Sequence, residues 1–236
     1  MLVSEISNST VWAVAYDYFF NNAVKEPDNE GFRYLIGRHN YPEQQFKQNI
    51  YGLGWSPLGD GLAAHLSLKG ISLEHAEELG LIIFEDGKPH DAFQNRIIFP
   101  LRNVQGEVVG FIALRAVRGE QPVYLDRCSG NRSSVLFGLD VAMPFIRDLG
   151  FAEILEFPDA VIDEYFCGRR NAVSFSSRPS PKFMRSADRE EYVRAIKSIT
   201  DKVVLKYHSD HLGNATAEQD KKFLESAGIT VDIELN

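Results

Sequence analysis

The chain has 236 residues, of which 44% are hydrophobic, and a formal net charge of −8. It is long enough for one large or two small domains, no apolar run approaches the ~18 residues of a membrane helix, and the acidic total argues against nonspecific nucleic-acid binding by the whole surface. Its two cysteines do not form a C-x-x-C pair, and no basic segment followed by an apolar run opens the chain, so we expect a cytoplasmic protein without a disulfide framework, a cysteine zinc site or a membrane attachment.

The first ninety residues carry a series of short amphipathic patterns. We expect helices over residues 10–24, 32–37, 42–50, 61–68 and 72–79, with short strands over 52–57 and 81–84. Ser9 or Thr10 is the expected cap of the first helix, and Pro42 suits the first turn of the third. This segment leads into the most informative part of the sequence.

Two apolar runs follow, Ile97 to Phe99 and Val108 to Ile112, each too brief for a helix. The segment between the two runs, Asn103 to Gly106, consists of turn residues. We expect Pro100 to end the first run. The pattern predicts a β-hairpin with a short loop.

The middle of the chain is basic, although the whole is acidic. Residues 1–91 carry a net charge of −7, residues 92–206 one of +3, and residues 207–236 one of −4. The hairpin and its continuation hold Arg96, Arg102, Arg115, Arg118, Arg127 and Arg132. A polyanion, if one binds, is expected here; the alternative is that these charges form ordinary solvated faces.

From residue 152 strands and helices alternate. We expect strands over residues 153–155, 172–175, 202–207 and 229–235, and helices over 158–166, 187–199 and 214–227. This alternation predicts a parallel sheet with helices on its faces, which binds ligands at the carboxyl ends of its strands. Glu156 and Asp159 follow the first of these strands, and Asp210 follows the third.

In the order and spacing of their motifs, these residues resemble the catalytic core of bacterial DnaG-type primases. The motifs are Asn95 to Pro100, Gly106 to Phe111, Tyr124-Leu125 and Val135 to Leu139, preceded by the similar segment Tyr51 to Trp55. The resemblance implies an α+β N-terminal, RNA-polymerase-like subdomain over residues 1–149. An α/β Toprim domain, which is a Rossmann-like parallel sheet, is implied over residues 150–236. We expect a core that lacks the family's zinc-binding domain and its helicase-binding region.

The family resemblance implies nucleotidyl transfer in DNA replication. Such a primase synthesises short RNA primers from NTPs on single-stranded DNA with Mg²⁺ or Mn²⁺, and its partners are the replicative helicase or other replication proteins. Arg96, Arg102, Arg115 and Arg132 would contact template or NTP phosphates; the alternative for each is a salt bridge within the fold.

The same resemblance implies catalytic roles for Glu156, Asp159 and Asp210, and metal binding by Glu156, His208 and Asp210. Two departures weaken this metal site. The family's Glu-Gly-x-x-Asp pattern appears one residue short as Glu156-Phe157-Pro158-Asp159, and His208 stands where the first aspartate of an Asp-x-Asp pattern belongs. Imidazole in place of a hard oxygen ligand disfavours Mg²⁺ relative to Mn²⁺ or Zn²⁺. The alternatives are helix N-terminal acids favoured by the dipole and a solvated loop histidine.

Three functions are consistent with this pattern. The first is a DnaG-like primase with an impaired metal site. The second is a homologue that has lost catalysis and acts as an accessory or regulatory binding protein in replication. The third, a Toprim nuclease, is disfavoured by the missing acids and leaves the polymerase-like half without a role.

Overall fold

The structure, a computed structural model, describes residues 6–39, 41, 43–46, 48–103, 105–116, 124–128, 135–155, 158–175 and 186–235. The chain divides into two compact units, an N-terminal unit of Met1–Leu101 with Glu107–Ser129 and a C-terminal unit of Arg102–Gly106 with Gly130–Asn236. The domain boundary expected between residues 149 and 150 stays a prediction. The two compact units are defined by contacts within the fold, whereas the expected domains are defined by the family resemblance. In the described residues no helix has the length and apolarity needed to span a bilayer.

The N-terminal unit begins with helices and continues as strands. Its helices are α1 (Asn8–Lys25), α2 (Glu30–His39), α3 (Glu43–Phe46), α4 (Gly61–Leu68) and α5 (Leu73–Glu78). Its strands are β1 (Gly54–Ser56), β2 (Ile82–Glu85), β3 (Lys88–Asp91), β4 (Arg96–Arg102), β5 (Val108–Arg115) and β6 (Tyr124–Cys128). The sequence prediction missed β3, which pairs with β2 in a separate two-stranded hairpin.

Helix starts and ends differ from the predictions for identifiable reasons. The cap of α1 is Ser7, whose hydroxyl accepts from the Thr10 amide, so the helix begins earlier than expected. The structure shows α3 as shorter than predicted. Asn49 follows it with a positive φ of 49°, and its side-chain amide bonds both the amide and the carbonyl of Leu53. That turn replaces the last predicted helical residues. The predicted starting residue Pro42 lies outside the described residues.

The predicted hairpin is confirmed as β4 and β5, which are neighbours in a four-stranded sheet of order β1-β4-β5-β6. Pro100 does not end the first strand as expected but lies inside β4. Gly54, the first residue of β1, pairs with Ile98, so β4 has already run past β1 at Pro100. A proline, which lacks an N–H group, is tolerated there because no β1 partner needs that donor.

The C-terminal unit contains β7 (Leu136–Phe137), α6 (Leu139–Leu149), β8 (Ala152–Leu155), α7 (Pro158–Phe166), β9 (Ala172–Phe175), α8 (Ser186–Lys197), β10 (Lys202–Tyr207), α9 (His211–Ser226) and β11 (Thr230–Leu235). Its sheet has the order β11-β10-β8-β9-β7. The first four of these strands run parallel, which confirms the predicted α/β sheet, and β7 joins the edge antiparallel to β9. The sequence analysis did not anticipate β7 or α6.

The two faces of this parallel sheet differ in chemistry. One face is an apolar core in which Ile154, Val203 and Leu205 pack with buried residues of α6, α8 and α9. The alternation of side chains along a strand places Glu153 and Lys206 on the other face. Both are buried, so this second face contains buried charge beside apolar residues such as Leu155.

Candidate active site

The carboxyl ends of β8 and β10 meet at one edge of the C-terminal sheet. The strands are parallel neighbours, with Leu155 paired to Lys206. The residues that follow them, from 156 after β8 and from His208 after β10, therefore start from the same edge. This is the edge at which the sequence predicted the acidic site.

Asp159 lies in the first turn of α7 and is only 3% exposed. The amide groups at a helix N-terminus stabilise a carboxylate in this position, which is the alternative role considered for this residue. Glu156 lies outside the described residues. Its predicted part in catalysis and metal binding stays a prediction.

Asp210 is the N-cap of α9. Its Oδ1 accepts a hydrogen bond of 2.6 Å from the Gly213 amide, while its side chain is exposed. Sequence reasoning placed the start of this helix at Asn214 and assigned Asp210 to catalysis and metal binding, without a capping role. The missed signal is the capping preference of aspartate immediately before a helical pattern.

His208 is exposed and lies between β10 and this cap. A Cβ added at Gly213 would collide with the His208 carbonyl oxygen, so the turn is tight and requires glycine there. The turn therefore fixes the backbone at His208 and Asp210 through local contacts.

Within the described ranges, no three His, Cys, Asp or Glu side chains are close enough together to hold a metal ion. Asp159, His208 and Asp210 share an edge but do not form such a cluster. Among the described residues, this edge supplies two carboxylates and one imidazole, whereas Mg²⁺ prefers oxygen ligands.

The predicted phosphate-binding arginines have different surroundings. Arg96 begins β4 and is buried, and Arg115 ends β5 and is half-buried. Arg102 forms an ion pair of 3.3 Å with Asp140 and donates to the Gly106 carbonyl at 3.0 Å. Arg132 lies outside the described residues. Contacts of these four with phosphates stay a prediction, and for Arg102 the structure shows the alternative salt bridge.

A buried ionic network, which sequence reasoning missed, lies beneath the same edge. The Nζ of Lys206 is 3.2 Å from Glu153, 3.5 Å from Glu164 and 3.5 Å from Glu234. Arg169 reaches Glu164 and Glu234 at 3.3 and 3.4 Å. Burial raises the pKa of Glu153, and the charge of Lys206 opposes that rise.

The network ties α7 to the sheet, because Glu164 belongs to that helix and Lys206 to β10. Its sequence signal is a charged residue inside each of two predicted buried strands, Glu153 and Lys206. Charged side chains in such strands require partners.

Comparison with known proteins supports this architecture. The sequence profile described as "DNA primase catalytic core, N-terminal domain" matches residues 18–142. The DNA primase of Staphylococcus aureus (strain MRSA252) is 26% identical over 221 residues, which cover 91% of this chain and 35% of the relative. That of Halalkalibacterium halodurans is 25% identical over 224 residues, which cover 93% and 36%. The chain thus spans about a third of the length of these relatives.

Solved primase structures share the fold. The Aquifex aeolicus primase (zinc-binding and RNA polymerase domains) has a TM-score of 0.82 at 22% identity and covers 100% of this chain and 57% of that one. A DNA primase domain from Pseudomonas aeruginosa has a TM-score of 0.79 at 22% identity and covers 98% and 71%. The fold class that the resemblance implied is confirmed. Since the family profile matches more than half of the sequence, the chain belongs to the DnaG-type DNA primase family.

Proposed function

We propose that this chain is a primase-like protein of DNA replication that binds single-stranded DNA and NTPs and makes short RNA primers with a weakened metal site. The observation that carries the proposal is the parallel pairing of β8 and β10, each followed by a candidate acid, Asp159 or Asp210, within a primase-family chain. A related DnaG catalytic domain, 15% identical with a TM-score of 0.77, has been solved bound to single-stranded DNA. The replicative helicase is a proposed partner of the whole protein.

The metal is Mn²⁺ or Mg²⁺ in this proposal, held through Glu156, His208 and Asp210. Of that set, His208 and Asp210 lie in the described residues and supply one imidazole and one carboxylate. We therefore expect weak binding and a preference for Mn²⁺, since imidazole is a better ligand for Mn²⁺ than for Mg²⁺. An ion bound here would neutralise phosphate charge.

A second candidate function is a catalytically inactive primase homologue that acts as an accessory or regulatory binding protein. The observation favouring it is that Asp210 caps α9 and keeps a structural reason to be present without any metal. His208 in place of an acid also fits a chain in which metal binding has been lost.

Primer synthesis on single-stranded DNA with NTPs distinguishes the two. We expect wild-type products in Mn²⁺ to exceed those in Mg²⁺, and we expect Glu156→Ala to abolish them. His208→Asp should raise synthesis in Mg²⁺ about tenfold, because it restores a hard oxygen ligand. The matched control is His211→Asp, which adds the same charge three residues away. Absence of product from wild type and His208→Asp in both metals, with folded protein that binds DNA, overturns the enzyme proposal and favours the accessory one.

Binding to a labelled single-stranded oligonucleotide tests the arginines separately. Removing one arginine that contacts a phosphate should reduce the slope of log affinity against log salt by about 0.7. We expect that change for Arg115→Ala and for Arg132→Ala, and none for Arg147→Ala, which removes an exposed arginine of α6 outside the family motifs. If Arg115→Ala and Arg132→Ala show the same slope of log affinity against log salt as the control Arg147→Ala, the two motif arginines are excluded as phosphate ligands.

A further inference from the structure

A cavity of about 530 Å³ lies in the N-terminal unit, and none of the residues assigned above to catalysis or metal binding lines it. It is formed by the α1–α2 connection, the start of α2, the segment after β1 and the residue before β4. Its lining residues are Glu26, Pro27, Asp28, Asn29, Glu30, Arg33, Trp55, Pro57, Leu58 and Asn95.

Asn95 is the first sign that the cavity receives a ligand. It is 7% exposed and has a φ of 53°, an uncommon backbone conformation for a residue other than glycine. Its backbone is bonded on both sides, to the Pro57 carbonyl and the Ala116 amide. Its side-chain amide lines the cavity and makes no hydrogen bond with any described residue. The amide is not fully buried but opens into the cavity, so a ligand in the cavity can pair with it.

The charge of the lining selects the ligand. The lining carboxylates of Glu26 and Glu30 stand against the guanidinium of Arg33, and Asp28 beside them is already engaged in an interaction of its own. Glu26, Glu30 and Arg33 form no ion pairs within the described part of the chain. This balance repels phosphate groups and attracts a guanidinium or ammonium group. The cavity is therefore unsuited to nucleotides, in contrast to the site proposed for the sheet edge.

An apolar surface adjoins the charged one. Leu58 is 75% exposed, and Pro27 and Pro57 line the cavity beside it. The wall is the ring of Trp55, which is 4% exposed and packs so closely on α2 that a Cβ at Gly31 would overlap it. An exposed leucine next to a rigid aromatic wall suits an apolar side chain of a partner.

We propose that this cavity is a docking site for a basic segment of a partner protein. An arginine or lysine of that segment enters beside Glu26 and Glu30 and bonds the Asn95 amide oxygen, and an apolar neighbour packs on Leu58. The proposal does not depend on primer synthesis.

Fluorine NMR of the full chain labelled with 5-fluorotryptophan tests it. The sequence contains two tryptophans, and they differ in position: Trp55 lines the cavity, whereas Trp12 lies in the core of the same unit. The probe is the peptide acetyl-Leu-Arg-Leu-amide, and its citrulline analogue is the neutral control. We expect the arginine peptide to shift the Trp55 signal and to leave the Trp12 signal in place.

The double variant Glu26→Gln/Glu30→Gln should bind the arginine peptide at least about threefold more weakly, because it removes two attractive charges. The double variant Glu77→Gln/Glu78→Gln makes the same charge change on exposed residues of α5 and should bind like wild type. Any of four outcomes would overturn the proposal. They are binding of the citrulline peptide as tight as that of the arginine peptide, an equal loss of affinity in both double variants, an unmoved Trp55 signal, and a Trp55 shift caused by UTP in place of the peptide.

Discussion

The two larger sheets of the described structure are buried in different ways. In the N-terminal unit, α1 presents Trp12 and Phe19 to the sheet, and their rings pack on Phe111 of β5 at centroid distances of 5.5 and 5.3 Å. In the C-terminal unit, the sheet buries apolar residues on one face and the Lys206 network on the other. Burial is therefore achieved by ring packing in one unit and partly by charge pairing in the other.

The two kinds of burial contribute differently to the stability of the fold and to the positioning of its residues. Aromatic burial contributes free energy directly, whereas a buried ion pair repays its desolvation cost only when its geometry is good. The Lys206 network connects β10 to α7, the helix that carries Asp159, and it ends two residues before His208. We infer that it holds the candidate edge in a fixed arrangement at some cost in stability.

The largest effect is expected in the aromatic core. Phe111→Ala should lower the free energy of unfolding by about 4 kcal/mol, because it removes a fully buried ring and leaves a cavity. Urea unfolding followed by tryptophan fluorescence measures it. Leu58→Ala, at an exposed position, should cost under about 0.5 kcal/mol. A loss below about 1 kcal/mol for Phe111→Ala would show that ring packing does not dominate this unit.

The charged face should respond almost as strongly to loss of its buried cation, Lys206. Lys206→Met leaves the buried carboxylate of Glu153 without that cation, while Glu164 keeps Arg169, and we expect a loss of about 3 kcal/mol in urea unfolding followed by circular dichroism. Lys202→Met is the matched control on the same strand. Its exposed pair with Asp232 should contribute under about 1 kcal/mol.

Adding Glu153→Gln to Lys206→Met should recover part of the lost unfolding free energy, because the buried carboxylate that has no cation becomes a neutral amide. If the double variant is less stable than the single one, the network is not stabilised chiefly by opposite charge.

A third effect is a pH dependence in the N-terminal unit. Burial raises the pKa of Asp91 from its ordinary value of 3.8 to about 6, even though its carboxylate accepts from the Leu62 and Ala63 amides. Between these two pH values the folded carboxyl keeps a proton that the unfolded chain has released. Stability from this group is therefore present below pH 4 and lost as pH rises through 6, by about 3 kcal/mol.

Asp91→Asn isolates this contribution, because asparagine does not titrate. The difference in unfolding free energy, wild type minus variant, should fall between pH 4 and pH 7. A constant difference over that range would show that the carboxyl titrates normally.

The sequence predicted the local elements better than the contacts between distant residues. Helices α4 and α7 and strands β9 and β10 have the predicted bounds, because clear caps, glycines or apolar runs delimit them. Helix α6 was missed; it contains Pro144, a residue that normally disfavours a helix interior.

The candidate site was only partly predictable, for the same reason. The sequence showed which strands its acids follow, and the acids could be assigned to one edge because parallel strands end at the same edge of a sheet. The Lys206 network and the amides that Asp91 bonds join residues far apart in the chain. Local patterns contain no information about such contacts.

The smallest expected effect bears on the candidate site itself. Asp210 caps α9, so Asp210→Ala should cost about 1 kcal/mol, while Asp210→Asn should cost only a few tenths because asparagine is an equally good cap. Both variants remove the negative charge. Urea unfolding measures the capping role, and Mn²⁺-dependent primer synthesis measures the proposed ligand role. Synthesis lost in both variants, with stability lost only in Asp210→Ala, would separate the two roles at one residue. Synthesis retained by Asp210→Asn would leave Asp210 as a helix cap and place the proposed metal ligands elsewhere.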